Sequence, residues 1–336
     1  GMLESTHRGH AVICDAAGQI VESWGDPARV IFPRSSCKML QALPLLESGA
    51  AAAVGLTDAH VALSCASHQG AALHVGMARD WLADLGLAEA DLRCGSHEPY
   101  DRAERDRLII AHEGPCQLHN NCSGKHSGFL TTVKHLKAGP EYVELDHPLQ
   151  RAVKAAFEEV TGEDSPGFGI DGCSAPNFAT TVAGLARAMS AFAAAKEDGS
   201  VRDRAMHRLT RSMAAYPDLV AGEGRACTEL MRSMDGRVAI KTGAEAVFVA
   251  IVPEKKLGIA LKIEDGNSRA SEAALVALLA RIGVLDADHP MAQKRLPAPQ
   301  RNCRGLRTGE LLVHGHQRVR CGEPAAAARQ RPRFQL

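Results

Sequence analysis

Apolar positions fall into two regimes along the chain. Near the ends they come in short runs: His10 to Asp15 and Gln19 to Ser23, joined through Ala16-Ala17-Gly18, then Val238 to Lys241, Ala244 to Val252 and Gly258 to Ile263. Runs of this length, bounded by Gly, Pro and charged residues, predict strands, the first two as a hairpin. Through the middle, the spacing predicts helices over Ala72 to Leu85, Phe129 to Leu136, Pro148 to Thr161, Val182 to Ala195, Arg202 to Tyr216 and within Val220 to Met231, with one more at Ser268 to Ile282. Ala59 to Ser67 reads as an apolar strand ended by His68-Gln69-Gly70. Glu89 to Asp106 reads as irregular, and Pro166 to Pro176 as a glycine-rich loop. The pattern predicts an α+β fold, with one antiparallel sheet made from N- and C-terminal strands and a helical lobe inserted between them. The expected layout is a single catalytic unit over 1–313, with a sheet lobe at 1–67 and 236–285 and a helical lobe at 68–235. Residues 314–336 follow a Pro- and Arg-rich stretch and read as a poorly ordered tail.

One stretch combines pattern with chemistry. Pro33 disfavours helical geometry for Phe32, and Ser35 or Ser36 can cap a first turn. Met39, Leu40, Ala42, Leu43, Leu45 and Leu46 supply a buried face, with Pro44 as a kink and Gly49 as a stop. On that helix Ser35 and Lys38 share a face. A serine hydroxyl attacks well only when something takes its proton, and a lysine held neutral can do so. Ser-x-x-Lys at a helix start is the arrangement of serine β-lactamases and penicillin-binding proteins. Alone, the same letters also describe a capping serine and a solvated lysine one turn on.

Composition narrows the classes. The chain has 336 residues, and Lys+Arg and Asp+Glu both count 39. A formal net charge of +0 argues against an electrostatic nucleic-acid or membrane surface. No basic-then-apolar leader and no membrane-length apolar run appears, so a cytoplasmic protein is expected. Ten cysteines without an export signal read as buried thiols rather than a disulfide framework, with one or two left over as metal ligands or reactive groups.

Several further residues bear on Ser35. Ser67 ends the Ala59 segment beside His68. Lys262 lies in Leu261-Lys262-Ile263-Glu264-Asp265-Gly266, where alternation turns it to the sheet face opposite its apolar neighbours. Lys241-Thr242-Gly243 ends a strand after the helical region, the order in which β-lactamases use Lys-Thr-Gly. Cys122 and Lys125 sit at a helix start, and Cys173 follows Asp171 in the glycine loop. Two thiols suit zinc, with a deprotonated lysine amine as an unusual third ligand. Gly167-Phe168-Gly169-Ile170-Asp171-Gly172 has the dinucleotide-binding letters, but no strand precedes it and Pro176 follows.

Taken together, six stretches resemble the rhizobial-type L-asparaginases, the asparaginase II family. They are Pro33 to Lys38, Cys65 to His68, Asn121 to His126, Asp171 to Pro176, Lys241 to Glu245 and Leu261 to Gly266, and the resemblance runs from His10 to Val313. It implies a serine-β-lactamase-like fold, a homodimer, and hydrolysis of L-asparagine to L-aspartate and ammonia. It implies two Ser–Lys pairs, Ser35 with Lys38 and Ser67 with Lys262. It implies a zinc held by Cys122, Lys125 and Cys173 that orients substrate. Arg34 and Asp171 match residues near the substrate, and Cys122 and His126 are counted with them. Which serine attacks stays open. Competing readings are a penicillin-recognising acyl hydrolase, a glutaminase-like amidohydrolase, and a zinc-stabilised binding protein without enzymatic activity.

Overall fold

The structure, a computed structural model, describes residues 2–313 and 334–335. The chain divides into two compact units. One comprises Gly1–Ser36, Thr180–Ala194 and Glu229–Leu336; the other comprises Cys37–Ala179 and Ala195–Thr228. Where the pattern placed a lobe boundary at 67, the chain changes unit at 36.

The first unit is organised on a six-stranded sheet whose pairings are all antiparallel. The strand Arg8–Cys14 pairs with Ile20–Trp24 along one edge and with Leu257–Ile263 along the other. Val247–Val252 and then Ala239–Gly243 complete the order. Strands from both ends of the chain thus share one sheet, as expected. Every residue of Val247–Val252 is buried, which is why this strand reads as a continuous apolar run rather than an alternation. The helix Val182–Ala194 packs on this sheet. Gly258 permits the contact, because a Cβ there would collide with the backbone of Ala186 and Ser190. The expected tail at 314–336 lies outside the described residues, apart from Phe334–Gln335, which pairs with Arg8 and Gly9.

The second unit is mostly helical. Ala72–Asp84, Pro148–Thr161 and Val201–Ala215 form where the spacing predicts. The Ala59–Ser67 strand is not formed: Asp58–Ser64 is a helix, started by reciprocal bonding of Thr57 and His60. A short apolar run buried on most sides carries no periodicity that separates strand from helix. The Glu89–Asp106 region also holds a helix start, because Asp101 caps Arg102–Ala111 by accepting from the Glu104 N–H at 2.9 Å. The polar run after Asn120 opens the helix Ser123–Leu136, several residues earlier than the pattern placed it. Gly124 and Gly128 let this helix lie close on Asp58–Ser64, where side chains would strike Leu63 and Ser64.

The stretch after Pro33 is broken rather than one kinked helix. Arg34–Cys37 forms a 3₁₀ turn, then Lys38–Gln41 and Leu43–Glu47 form short helices, with Pro44 in the first turn of the latter. The glycine-rich loop is a hairpin, Phe168–Ile170 paired with Pro176–Phe178, and its turn carries Asp171 and Cys173. Among the described residues no helix is long and apolar enough to cross a membrane.

Candidate active site

The helical unit carries a cluster of buried amines, thiols and imidazoles. Lys38 is fully buried. Its amine donates to the carbonyl of Ala66, to Asn121 O at 3.4 Å and to Cys122 Sγ at 3.0 Å. Ser67 follows Ala66 directly, is buried, and is tied by its N–H to Val220 O at 2.9 Å. The amine expected to serve a serine is therefore anchored one residue before one.

Lys125 is buried and donates to Cys173 Sγ at 3.0 Å. Burial pulls its amine down, but the Cys173 and Cys122 sulfurs and Asp171 outweigh burial and hold it above the usual lysine range. Between the two thiols the charge settles on Cys173. The neighbouring Cys122 sulfur, with Lys125 and His126, holds Cys173 well below an ordinary thiol while Cys122, whose thiol donates to Asn121 Oδ1 at 3.1 Å, is pushed up. Two sulfurs fit the donor preference of zinc, with the Lys125 amine as an unusual third donor. Binding there would have to displace the protons of Cys122 and Lys125. Among the described residues no group of three or more His, Cys, Asp or Glu side chains is placed to hold a metal.

His126 is fully buried. Its Nδ1 meets the Tyr142 hydroxyl at 2.8 Å, and that oxygen accepts the Arg93 N–H at 2.8 Å. Nε2, buried without a well-formed hydrogen bond, faces the field of Cys173. Asp171 is half-buried; its Oδ1 accepts the Gly172 N–H at 2.9 Å, and its carbonyl accepts the Ser174 N–H at 2.8 Å. Ser174, next to Cys173, sits at φ +69°. Strain beside a reactive group is typical of functional loops.

In the sheet unit, Arg34 also has positive φ, +53°, immediately before the half-buried Ser35. The turn is closed by Ser36, whose N–H and hydroxyl both donate to Pro33 O, at 3.2 and 2.7 Å. Gly243 of the Lys-Thr-Gly strand lies against this turn, since a Cβ there would come 2.7 Å from Pro33 O and 3.0 Å from Ser36 N. Lys241 is buried and donates to Thr242 O at 2.8 Å. The Lys262 amine donates to Glu245 O and, at 2.7 Å, to Ile263 O. Glu245 and Ala246 both have positive φ, +58° and +56°. Burial lowers the Lys262 pKa, and Arg29 adds to this against the pull of Glu245, Asp265 and Glu264. Burial is the first cause of that lowering.

The L-asparaginase II family model matches residues 1–313. This chain belongs to the L-asparaginase II family. Membership makes the protein an amidohydrolase. No curated protein matches it. Among solved structures, the chain is similar to Mglu in its tris and glutamate form, at 14% identity and a TM-score of 0.48. That alignment covers 84% of this chain and 60% of Mglu, so the chain spans less than two thirds of that neighbour's length. A β-lactamase from Mycobacterium bovis aligns at 16% identity and TM-score 0.46, covering 82% of this chain and 94% of that one. A putative β-lactamase from Bacteroides dorei aligns at 9% and 0.43, with the same two coverages.

For this family member, sequence reasoning missed the backbone acceptors. Ala66 O, Asn121 O and Glu245 O hold the two amines. Every residue carries a carbonyl, so nothing in the letters singles these out. It also missed His68, fully buried, stacked on His74 at 4.7 Å and bonded to Ser123 Oγ at 3.0 Å. Its place in the Cys65–His68 stretch was the available signal.

Proposed function

We propose that this protein hydrolyses L-asparagine to L-aspartate and ammonia through a serine acyl-enzyme, with Ser35 and Lys38 as one pair and Ser67 and Lys262 as the other. The observation that carries the reading is the Lys38 amine, fully buried and anchored on Ala66, one residue before Ser67. A serine oxygen attacks the side-chain amide, its proton passes to a lysine amine, and the leaving nitrogen is protonated to ammonia. Water then cleaves the ester, with a lysine again accepting the proton. Lys262, its pKa lowered first by burial, is the amine assigned to accept that proton. Arg34 supplies a cation for the substrate carboxylate and Asp171 an anion for its α-ammonium. Cys122, Lys125 and Cys173 would hold a zinc ion, which when bound would orient the substrate. The family relationship also supports a homodimer.

Ammonia release with asparagine and glutamine in parallel tests this. Asparagine turnover should exceed glutamine turnover, and Ser35→Ala and Ser67→Ala should each lower it by about 10³-fold or more. Full activity in both variants would remove the serine mechanism. Turnover of a chromogenic cephalosporin without asparagine turnover would choose the penicillin-recognising reading instead.

A further inference from the structure

Two segments of the helical unit converge on one backbone carbonyl. Asn121 O accepts the Lys38 amine at 3.4 Å and the His68 N–H at 3.2 Å. His68 directly follows Ser67, so this oxygen sets where the amine and the serine segment meet. The Asn121 side chain also places a thiol, its Oδ1 accepting from Cys122 Sγ at 3.1 Å. Asn121 is itself held from the other side, where its N–H donates to His97 Nε2 at 2.9 Å.

The His97 ring is set for that role. Its Nδ1 lies 2.7 Å from Glu98 O. A carbonyl can only accept and a backbone N–H can only donate. Nδ1 therefore carries the ring proton and Nε2 offers its lone pair, and a neutral imidazole satisfies both backbone groups at once. The ring is half-buried and lies beside the Tyr100 ring, with centroids 5.3 Å apart.

The stretch that carries His97, residues 94–101, contains neither helix nor strand, yet it is fastened along its length. The Asn120 amide donates to Cys94 O and Gly95 O at 2.9 and 3.0 Å. The Asp101 N–H donates to Gln69 O at 2.8 Å, and the Gln69 amide donates to Asp101 Oδ2 at 3.1 Å. Gly70 lies against Pro99, since a Cβ there would come 3.0 Å from the Pro99 side chain. This loop thus joins the residues around Asn121 to those just after Ser67. Such fixing of a loop by backbone bonds and close packing is what a precise site needs from its surroundings.

We propose that His97 is a positioning residue for the reaction: by holding the Asn121 N–H it fixes the carbonyl on which Lys38 and the Ser67–His68 segment meet. The proposal rests on the acyl-enzyme reading above, in which Lys38 and Ser67 each belong to a reacting pair. His97 acts through Asn121.

The test compares asparagine turnover by the full chain, His97→Leu, His97→Gln and Ser67→Ala, and backbone amide exchange in the unaltered protein and the two His97 variants. Leucine keeps bulk and loses the acceptor, whereas the glutamine side-chain oxygen can take the place of Nε2. His97→Leu should lower kcat by about 10- to 100-fold with KM within about twofold. Exchange at the Asn121 and His68 amides should quicken by about tenfold in that variant. His97→Gln should bring both back to within about threefold of the unaltered protein. Equal losses in the two variants would overturn the proposal, because they would make His97 a packing residue only. Unchanged exchange at Asn121 in His97→Leu would overturn it as well. Ser67→Ala separates the proposal from the reading beneath it: full turnover there removes that reading, whereas a dead Ser67→Ala beside a fully active His97→Leu overturns the proposal alone. Should His97→Leu not fold, His97→Asn, whose shorter side chain leaves its oxygen out of reach of Asn121, takes its place with the same expected losses.

Discussion

Lys125 and Lys262 are the same residue type, one in each unit, and their surroundings push them in opposite directions. The Lys262 amine donates to two backbone carbonyls, Glu245 O and Ile263 O, and burial lowers it. Lys125 is more deeply buried, yet it is held up, because the ionised Cys173 sulfur sits 3.0 Å from its amine. Burial alone disfavours the ammonium; an anion placed in the same dry space reverses the sign. The contrast separates two settings for a lysine: one lowered by burial among backbone carbonyls, the other held up by a thiolate.

The largest expected effect falls on Lys262. Lys262→Met removes the amine with the lowered pKa, and ammonia release should drop by about 10³-fold. A variant retaining a tenth of the activity at neutral pH would break the assignment of Lys262 as a proton acceptor. Next comes the thiolate that holds Lys125. Cys173→Ala leaves a buried ammonium without its partner, and the unfolding free energy in urea should fall by about 3–5 kcal/mol. Adding Lys125→Met to that variant should recover most of the loss; no recovery would show that the ion pair is not what the first change removed.

The smallest effect sharpens the burial side of the comparison. Burial lowers His68, His74 and His126, and each therefore takes up a proton more readily in the unfolded chain. Stability should then be full above about pH 6.5 and fall as pH drops below it, by up to about 1.4 kcal/mol per pH unit for each histidine. His74→Gln should flatten the curve of melting temperature between pH 7.5 and 5.5 by one such increment. A curve as steep as that of the unaltered protein would place the acid sensitivity elsewhere.

How much could be read beforehand depends on what carries the information. Pro148–Thr161 formed as predicted because its apolar face recurs at the helical period, with Pro148 at the start and Gly162 at the end. Val247–Val252 formed as a strand because it is apolar and rich in β-branched residues, and Leu257–Ile263 beyond the turn pairs both with it and with the N-terminal Arg8–Cys14. Asp58–Ser64 was misread because all-round burial erases periodicity. Ser35, Lys38, Ser67 and Lys262 could be named from short motifs, and so could the two thiols. What their amines bond to could not, since Ala66 O and Glu245 O are peptide groups that the folded path alone brings near.

By itself, then, the sequence determined the α+β layout, the family and the names of the chemically able side chains, because each of these is written in local order: apolar period, turn residues and short motifs. The tertiary structure alone decided the protonation tendency of each group. That tendency depends on depth and on the nearest opposite charge, and residues far apart in the chain supply both.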